Sequence, residues 1–92
     1  MKAVTVDSTA GGTELSPAGN RDFLHIFNNG SQTLYIQYDG DSTNVLSDAN
    51  GWPVPAGDYY ALDNDGNRNV FNKQVLGFVP SGSVEVRIQG DD

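Results

Sequence analysis

Apolar and polar side chains alternate along much of this chain, and clusters of Gly, Asn, Asp, Ser and Pro interrupt the alternation roughly every 8–12 residues. Each uninterrupted run predicts a short strand, because successive side chains on extended backbone point to opposite faces. Lys2–Asp7 is the first, with Val4 and Val6 on one face. Ser8–Asn20 is a loop rich in Gly, Ser and Thr, with a short edge piece at Thr13–Ser16. Arg21–Asn28 is apolar on both faces, with Phe23 and Phe27 on one and Leu24 and Ile26 on the other. Such a strand is central in a sandwich or lies under a subunit contact. Asn29-Gly30 predicts the positive-φ residues of a tight hairpin. Gln32–Asp39 sets Leu34, Ile36 and Tyr38 against Tyr35 and Gln37. Gly40–Asn44 is a polar turn, Val45-Leu46 a short edge strand and Asp48–Gly51 another turn.

In Trp52-Pro53-Val54-Pro55 two prolines remove ladder donors, which places this piece on a sheet edge or in an extended arm. Ala56-Gly57 turns the chain into a strand at Asp58–Leu62, and Asp63–Asn69 is a polar tip. Gln74–Val79 and Ser83–Gln89 form a last hairpin across Pro80-Ser81-Gly82. In its second strand Val84, Val86 and Ile88 point inward and Glu85, Arg87 and Gln89 outward. Stretches of about 11 residues with a 3.6 period and no Gly or Pro are missing, so no long helix is predicted. The expected fold is all-β, a small antiparallel β-sandwich or jelly-roll-like barrel of seven or eight short strands. Residues 1–92 make a single domain, with residues 1–20 as an N-terminal arm or first strand and loop.

Composition narrows the partners. The absence of cysteine excludes a disulfide framework and thiolate metal sites. Twelve acidic against five basic residues give a net charge of −7, and Lys2, Arg21, Arg68, Lys73 and Arg87 are scattered. Phosphate-backbone binding needs clustered cations, so no nucleic-acid partner is expected. Neither is a membrane: no apolar run approaches the roughly 20 residues that span a bilayer, and Met1-Lys2-Ala3-Val4-Thr5 lacks the apolar core of a signal peptide. A chain this short buries only about 60–65% of its unfolded surface. Association, with copies of itself or with a larger body, is therefore the expected source of extra stability.

Catalytic chemistry finds little support. Any nucleophile–base–orienter arrangement must run through the single histidine, His25, which sits mid-strand between Leu24 and Ile26 and shares a face with Phe23 and Phe27. A packed or interface role suits that position better than a general base. Glu14 and Glu85 have no feature that pairs them for glycoside hydrolysis. No catalytic residue, metal or cofactor is expected. In Asp63-Asn64-Asp65-Gly66-Asn67 the oxygen donors invite Ca²⁺, but Gly66 is fourth from Asp63, and position twelve is the uncharged Gln74. A hairpin tip explains the segment, as a turn explains Asp39-Gly40-Asp41. Trp52, Tyr59, Tyr60, Tyr35 and Tyr38 offer a stacking platform for sugar, but adjacent Tyr59 and Tyr60 must face opposite ways, and core or protein-interface roles are favoured.

The order of motifs carries a resemblance. A polar Asn28-Asn29-Gly30-Ser31 turn leads into Leu34-Tyr35-Ile36 and Tyr38-Asp39. Asn50-Gly51-Trp52-Pro53-Val54-Pro55-Ala56-Gly57 follows, and the chain closes on Val79-Pro80-Ser81-Gly82-Ser83-Val84-Glu85-Val86-Arg87-Ile88. Over Phe23 to Ile88 this resembles the small β-sandwich accessory proteins of tailed-phage virions. The acidic Asp63–Asn67 tip and Trp52 depart from that pattern. The resemblance implies a non-enzymatic capsid decoration or cement protein, made in the host cytoplasm and carried on the virion's capsid surface. Its implied partner is the major capsid protein, and it is a homo-oligomer, a trimer at a three-fold capsid position. Under that reading Val4 and Val6 of the N-terminal strand and Trp52, Pro53 and Val54 of the proline-rich arm make the subunit or capsid contacts. The alternative is a glycan- or receptor-binding sandwich module, free or as a virion appendage.

Overall fold

In the computed structural model, residues 1–18, 23–37, 45–63 and 74–90 are described, 62 and 63 by backbone alone. The period-two runs become eight strands: β1 (Lys2–Asp7), β2 (Thr13–Ser16), β3 (Phe23–Asn28), β4 (Leu34–Gln37), β5 (Trp52–Val54), β6 (Tyr59–Asp63), β7 (Val75–Phe78) and β8 (Ser83–Gly90). No helix occurs among the described residues. The alternation in β8 is realised residue by residue, with Val84, Val86 and Ile88 buried and Glu85, Arg87 and Gln89 exposed.

The strands form two antiparallel sheets, ordered β1-β8-β3-β6 and β2-β7-β4-β5. First strand pairs with last, second with seventh, third with sixth and fourth with fifth. The chain is thus one long hairpin, bent between β4 and β5 and rolled so that its pairs alternate between two layers. That is jelly-roll connectivity in an open sandwich, not a closed barrel.

This topology corrects two predicted hairpins. β3 and β4 lie in different sheets, as do β7 and β8, so Asn29-Gly30 and Pro80-Ser81-Gly82 carry the chain across the sandwich. Among the described residues the glycines with positive φ are Gly11, Gly12, Gly57 and Gly82, and Gly30 is not one of them. Its lack of a side chain serves close approach instead: a Cβ there would lie 2.4 Å from Cβ of Val84. Val45-Leu46 is not a strand either. Leu46, only 2% exposed, belongs to a loop lying on the outer face of the second sheet, where Gly51 adjoins Tyr35 and Leu46 and Gly12 adjoins Leu46 and Leu76. Asn50 closes that loop, accepting from Ser47 N–H at 2.9 Å and donating to the Val45 carbonyl at 2.8 Å. Trp52-Pro53-Val54, by contrast, is the edge strand its prolines predict. The Asp63–Asn69 tip, apart from the β6 terminus, and the Gly40–Asn44 turn lie outside the described residues.

Between the layers the core is aliphatic. Val6, Leu15, Leu24, Ile26, Leu34, Ile36, Val54, Val75, Val79, Val84, Val86 and Ile88 pack as one cluster, with Val4 and Tyr60 against its margin. One polar side chain enters this region from the end of β3. Asn28 is fully buried; its Nδ2 donates to the carbonyls of Gln32 at 2.8 Å and Val54 at 2.9 Å, and its Oδ1 accepts from Gly30 N–H at 3.0 Å. Its backbone N–H donates to Asp58 and its carbonyl accepts from Gly57, both at 2.9 Å. The β3–β4 and β5–β6 crossovers are therefore tied through one residue. At the same end Gln32 Nε2 donates to the Ser81 carbonyl at 2.6 Å and Val79 N–H to the Asp7 carbonyl at 3.3 Å, which brings in the β7–β8 and β1–β2 crossovers.

The β5–β6 crossover turns on Pro55-Ala56-Gly57-Asp58. Asp58 N–H donates to the Pro55 carbonyl at 3.0 Å, and Gly57 has φ of 77°, the signature of a type II turn. Open space surrounds the position where a Cβ would stand, so Gly57→Ala is opposed by backbone strain alone. The expected loss is about 1 kcal/mol in urea unfolding. A loss under a few tenths of that would show that the turn readily changes type.

Candidate docking face

The two sheets differ in what covers their outer surfaces. On the second sheet Leu46 and its loop leave Tyr35, Leu76 and Phe78 half-buried. On the first sheet the outward positions of β3 are Phe23, His25 and Phe27, and the registers extend them into rows. Ala3, Arg87, Phe27 and Tyr59 align across all four strands, and Gln89, His25 and Ala61 form the next row. Tyr59 is 65% exposed, while Phe23 and Phe27 are half-buried. Phe23 packs on the ring of His25 at 5.2 Å between centroids. Met1, His25, Phe27, Tyr59, Arg87 and Gln89, with Ile26 beneath, line a shallow dish of about 300 Å³.

Charge is sparse here despite the net −7 of the chain. Arg87 is the charged side chain of the two central rows, and its Nε donates to Glu85 Oε1 at 3.0 Å. Glu85 also accepts from Asn29 Nδ2 at 2.9 Å. The hydrogen bond from Asn29, then the bond and charge of Arg87, hold the Glu85 carboxyl below its ordinary range. Their stabilisation is present at neutral pH and is lost as acid takes the carboxylate through that lowered value. Central rows that carry one charged side chain, the exposed Tyr59 and the half-buried Phe27 have the composition of an interface core.

The five residues singled out as contacts separate. Val6 and Val54, 0% and 2% exposed, face the core, and Val4 packs on its margin. A partner touching the Val6 or Val54 side chain would have to open the sandwich. Trp52 and Pro53 are exposed, Trp52 at 52%. The aromatic platform separates too. Tyr59 is outward and Tyr60 inward, as their adjacency requires, and Tyr60 meets Trp52 at 5.9 Å where the edge strands β6 and β5 face one another. Tyr35 is on the other sheet, and Tyr38 lies outside the described residues. His25 occupies the exposed face with its phenylalanine neighbours. Among the described residues, no group of three or more His, Cys, Asp or Glu is placed to hold a metal.

Local sequence pattern does not predict the dish as a unit. Its β3 stripe was visible as a second apolar face, but Tyr59 joins it only through the β3–β6 register, which local pattern does not encode. No protein-family model, curated protein or solved structure matches this chain.

Proposed function

We propose that this chain is a non-enzymatic structural subunit that binds the outer surface of a tailed-phage capsid, decorating and stabilising it, with the major capsid protein as partner. The observation that carries the reading is the outer face of the β1-β8-β3-β6 sheet, where Phe27 and Tyr59 stand in central rows whose charged side chain is Arg87, on a strongly acidic chain. Such a face suits docking on a broad protein surface. The motif order over Phe23–Ile88 supplies the identity of that surface, and the jelly-roll sandwich is an architecture used by capsid proteins, though a fold alone does not fix function. Trp52 and Pro53 on the β5 edge are a second contact.

The test is co-sedimentation with expanded capsids lacking the protein. Saturable binding at a fixed copy number is expected. Tyr59→Ala removes an exposed anchor and should weaken binding about 30-fold, the scale of an interface hot spot, while changing stability by no more than about 0.5 kcal/mol. Trp52→Ala should lower occupancy as well; unchanged occupancy with the fold intact removes the β5 edge from the interface. Absence of binding by the unaltered protein at physiological salt would reject the capsid reading.

The dish favours one second reading. Phe27 and Tyr59 beside the polar ends of His25, Arg87 and Gln89 combine a stacking surface with hydrogen-bonding groups around a space the size of a sugar ring. A glycan-binding module would show saturable, Tyr59-dependent chemical-shift changes on titration with simple sugars.

A further inference from the structure

We propose that Asn29 is a spontaneous deamidation site, held closed in the folded chain by the side chain of its neighbour Asn28. This goes beyond the capsid reading and does not depend on it. Asparagine followed by glycine occurs at Asn29-Gly30 and at Asn50-Gly51. Glycine puts no side chain beside its own nitrogen, so that nitrogen can reach the preceding asparagine side chain. In the reaction the glycine N–H gives up its proton to base, its nitrogen bonds to Cγ of the asparagine, and ammonia leaves. Water then opens the five-membered imide at either carbonyl. The product is aspartate or isoaspartate, with one more negative charge on a chain of net −7.

Asn29 is exposed, so water and base reach it and burial does not protect it. Hydrogen bonds do. Gly30 N–H donates to Asn28 Oδ1 at 3.0 Å, an Asx turn that holds the proton the reaction must remove. The Asn29 amide is drawn onto β8, where Nδ2 donates to Glu85 Oε1 at 2.9 Å and the backbone N–H to the Glu85 carbonyl at 3.0 Å. Asn28 is itself fully buried and tied to the Gln32 and Val54 carbonyls, so its Oδ1 leaves Gly30 only when the crossover opens. At Asn50 the lock has another origin. Gly51 N–H donates to the Ser47 carbonyl at 3.0 Å, and the Asn50 side chain bridges Ser47 N–H and the Val45 carbonyl. Those partners are backbone groups of its own loop, which makes Asn50 an internal reference for opening that does not involve Asn28. A carboxylate at position 29 would lose its donor to Glu85 and stand against that side chain, one row along the sheet from Arg87, Phe27 and Tyr59.

Peptide mapping by mass spectrometry tests the site, on the full chain incubated folded and in urea at the same mildly alkaline pH. Conversion at Asn29 should be at least about tenfold slower in the folded chain, because a bonded amide reacts only in its opened fraction. Asn28→Ala removes the acceptor and should raise the folded rate at Asn29 at least about fivefold relative to Asn50 in the same sample. Asn28→Ser loses the reach to the Gln32 and Val54 carbonyls but keeps a hydroxyl that can accept from Gly30 N–H. Its ratio of Asn29 to Asn50 conversion should stay nearer the unaltered protein than the alanine variant. Equal ratios in the alanine and serine variants would overturn the proposal. So would an equal rise in Leu15→Ala, a core change in β2, since overall stability would then be the protection. Should Asn28→Ala not fold, exchange of the Gly30 amide in the unaltered protein decides. Exchange at least about tenfold slower than in urea is expected, and unprotected exchange overturns the lock.

Discussion

Asn28→Ala is expected to remove about 3–4 kcal/mol of folding stability, a large part of what a domain this size possesses. The side chain fully satisfies three backbone groups at once, the carbonyls of Gln32 and Val54 and the N–H of Gly30. Alanine leaves the buried Val54 carbonyl and the part-buried Gln32 carbonyl and Gly30 N–H facing a small void. Each unsatisfied buried group costs about 1–3 kcal/mol, and partial relaxation keeps the sum toward the lower end. Asn28→Asp separates hydrogen bonding from size. It preserves volume but points one carboxylate oxygen, in place of Nδ2, at two carbonyls, which raises the folded-state pKa of the new acid. Its stability should therefore recover as pH falls and protonation restores one donor, a recovery the alanine variant cannot show. Urea midpoints at two pH values, with m-values compared, decide the matter. A loss below about 1 kcal/mol in Asn28→Ala would mean that the crossovers are held by other groups.

Gly30→Ala is the second large effect, expected at about 3 kcal/mol. The added Cβ would lie 2.4 Å from both Cβ and Cγ1 of Val84, a buried residue near the start of β8. Neither atom is the free end of a flexible side chain, so the crossover or the strand must move. A tight hairpin with Gly30 at positive φ would predict backbone strain alone, near the 1 kcal/mol expected at Gly57. The comparison of the two glycines under identical conditions therefore distinguishes steric from conformational requirement. A neutral Gly30→Ala would show that the β3–β4 crossover has room to shift away from β8.

These two residues also mark where the sequence stops being legible. The strands and their inward faces are local properties: alternation in Ser83–Gln89 or Lys2–Asp7 gives both, because the side-chain period is two wherever the chain is extended. Pairing is not local. Asn-Gly after β3 and Pro-Ser-Gly before β8 carry the residue types of hairpins, yet both segments cross between sheets. What distinguishes them is an amide reaching a carbonyl 26 residues away and a glycine pressed on a strand from the far end of the chain. The docking face follows the same division. Phe23 and Phe27 could be read as an outward stripe, and one tyrosine of the Tyr59-Tyr60 pair had to face out. That Tyr59 stands beside Phe27 depends on a pairing set by the whole roll.

The same roll imposes an order in time. β8 sits between β1 and β3, bonded to both, and follows the other described strands in sequence. As the polypeptide emerges during synthesis, β1 is the first of the described strands to be made and its partner β8 the last. The 75 residues from Ser8 to Gly82 intervene, some seconds at about 5–20 residues per second. Through that interval the first sheet has no middle, and β1 is bare along both sides. Assembly of the sandwich therefore waits on completion of the C-terminal strand. A messenger truncated before β8 would release a chain whose earliest strand has no partner of its own and is free to find one on a neighbouring nascent chain.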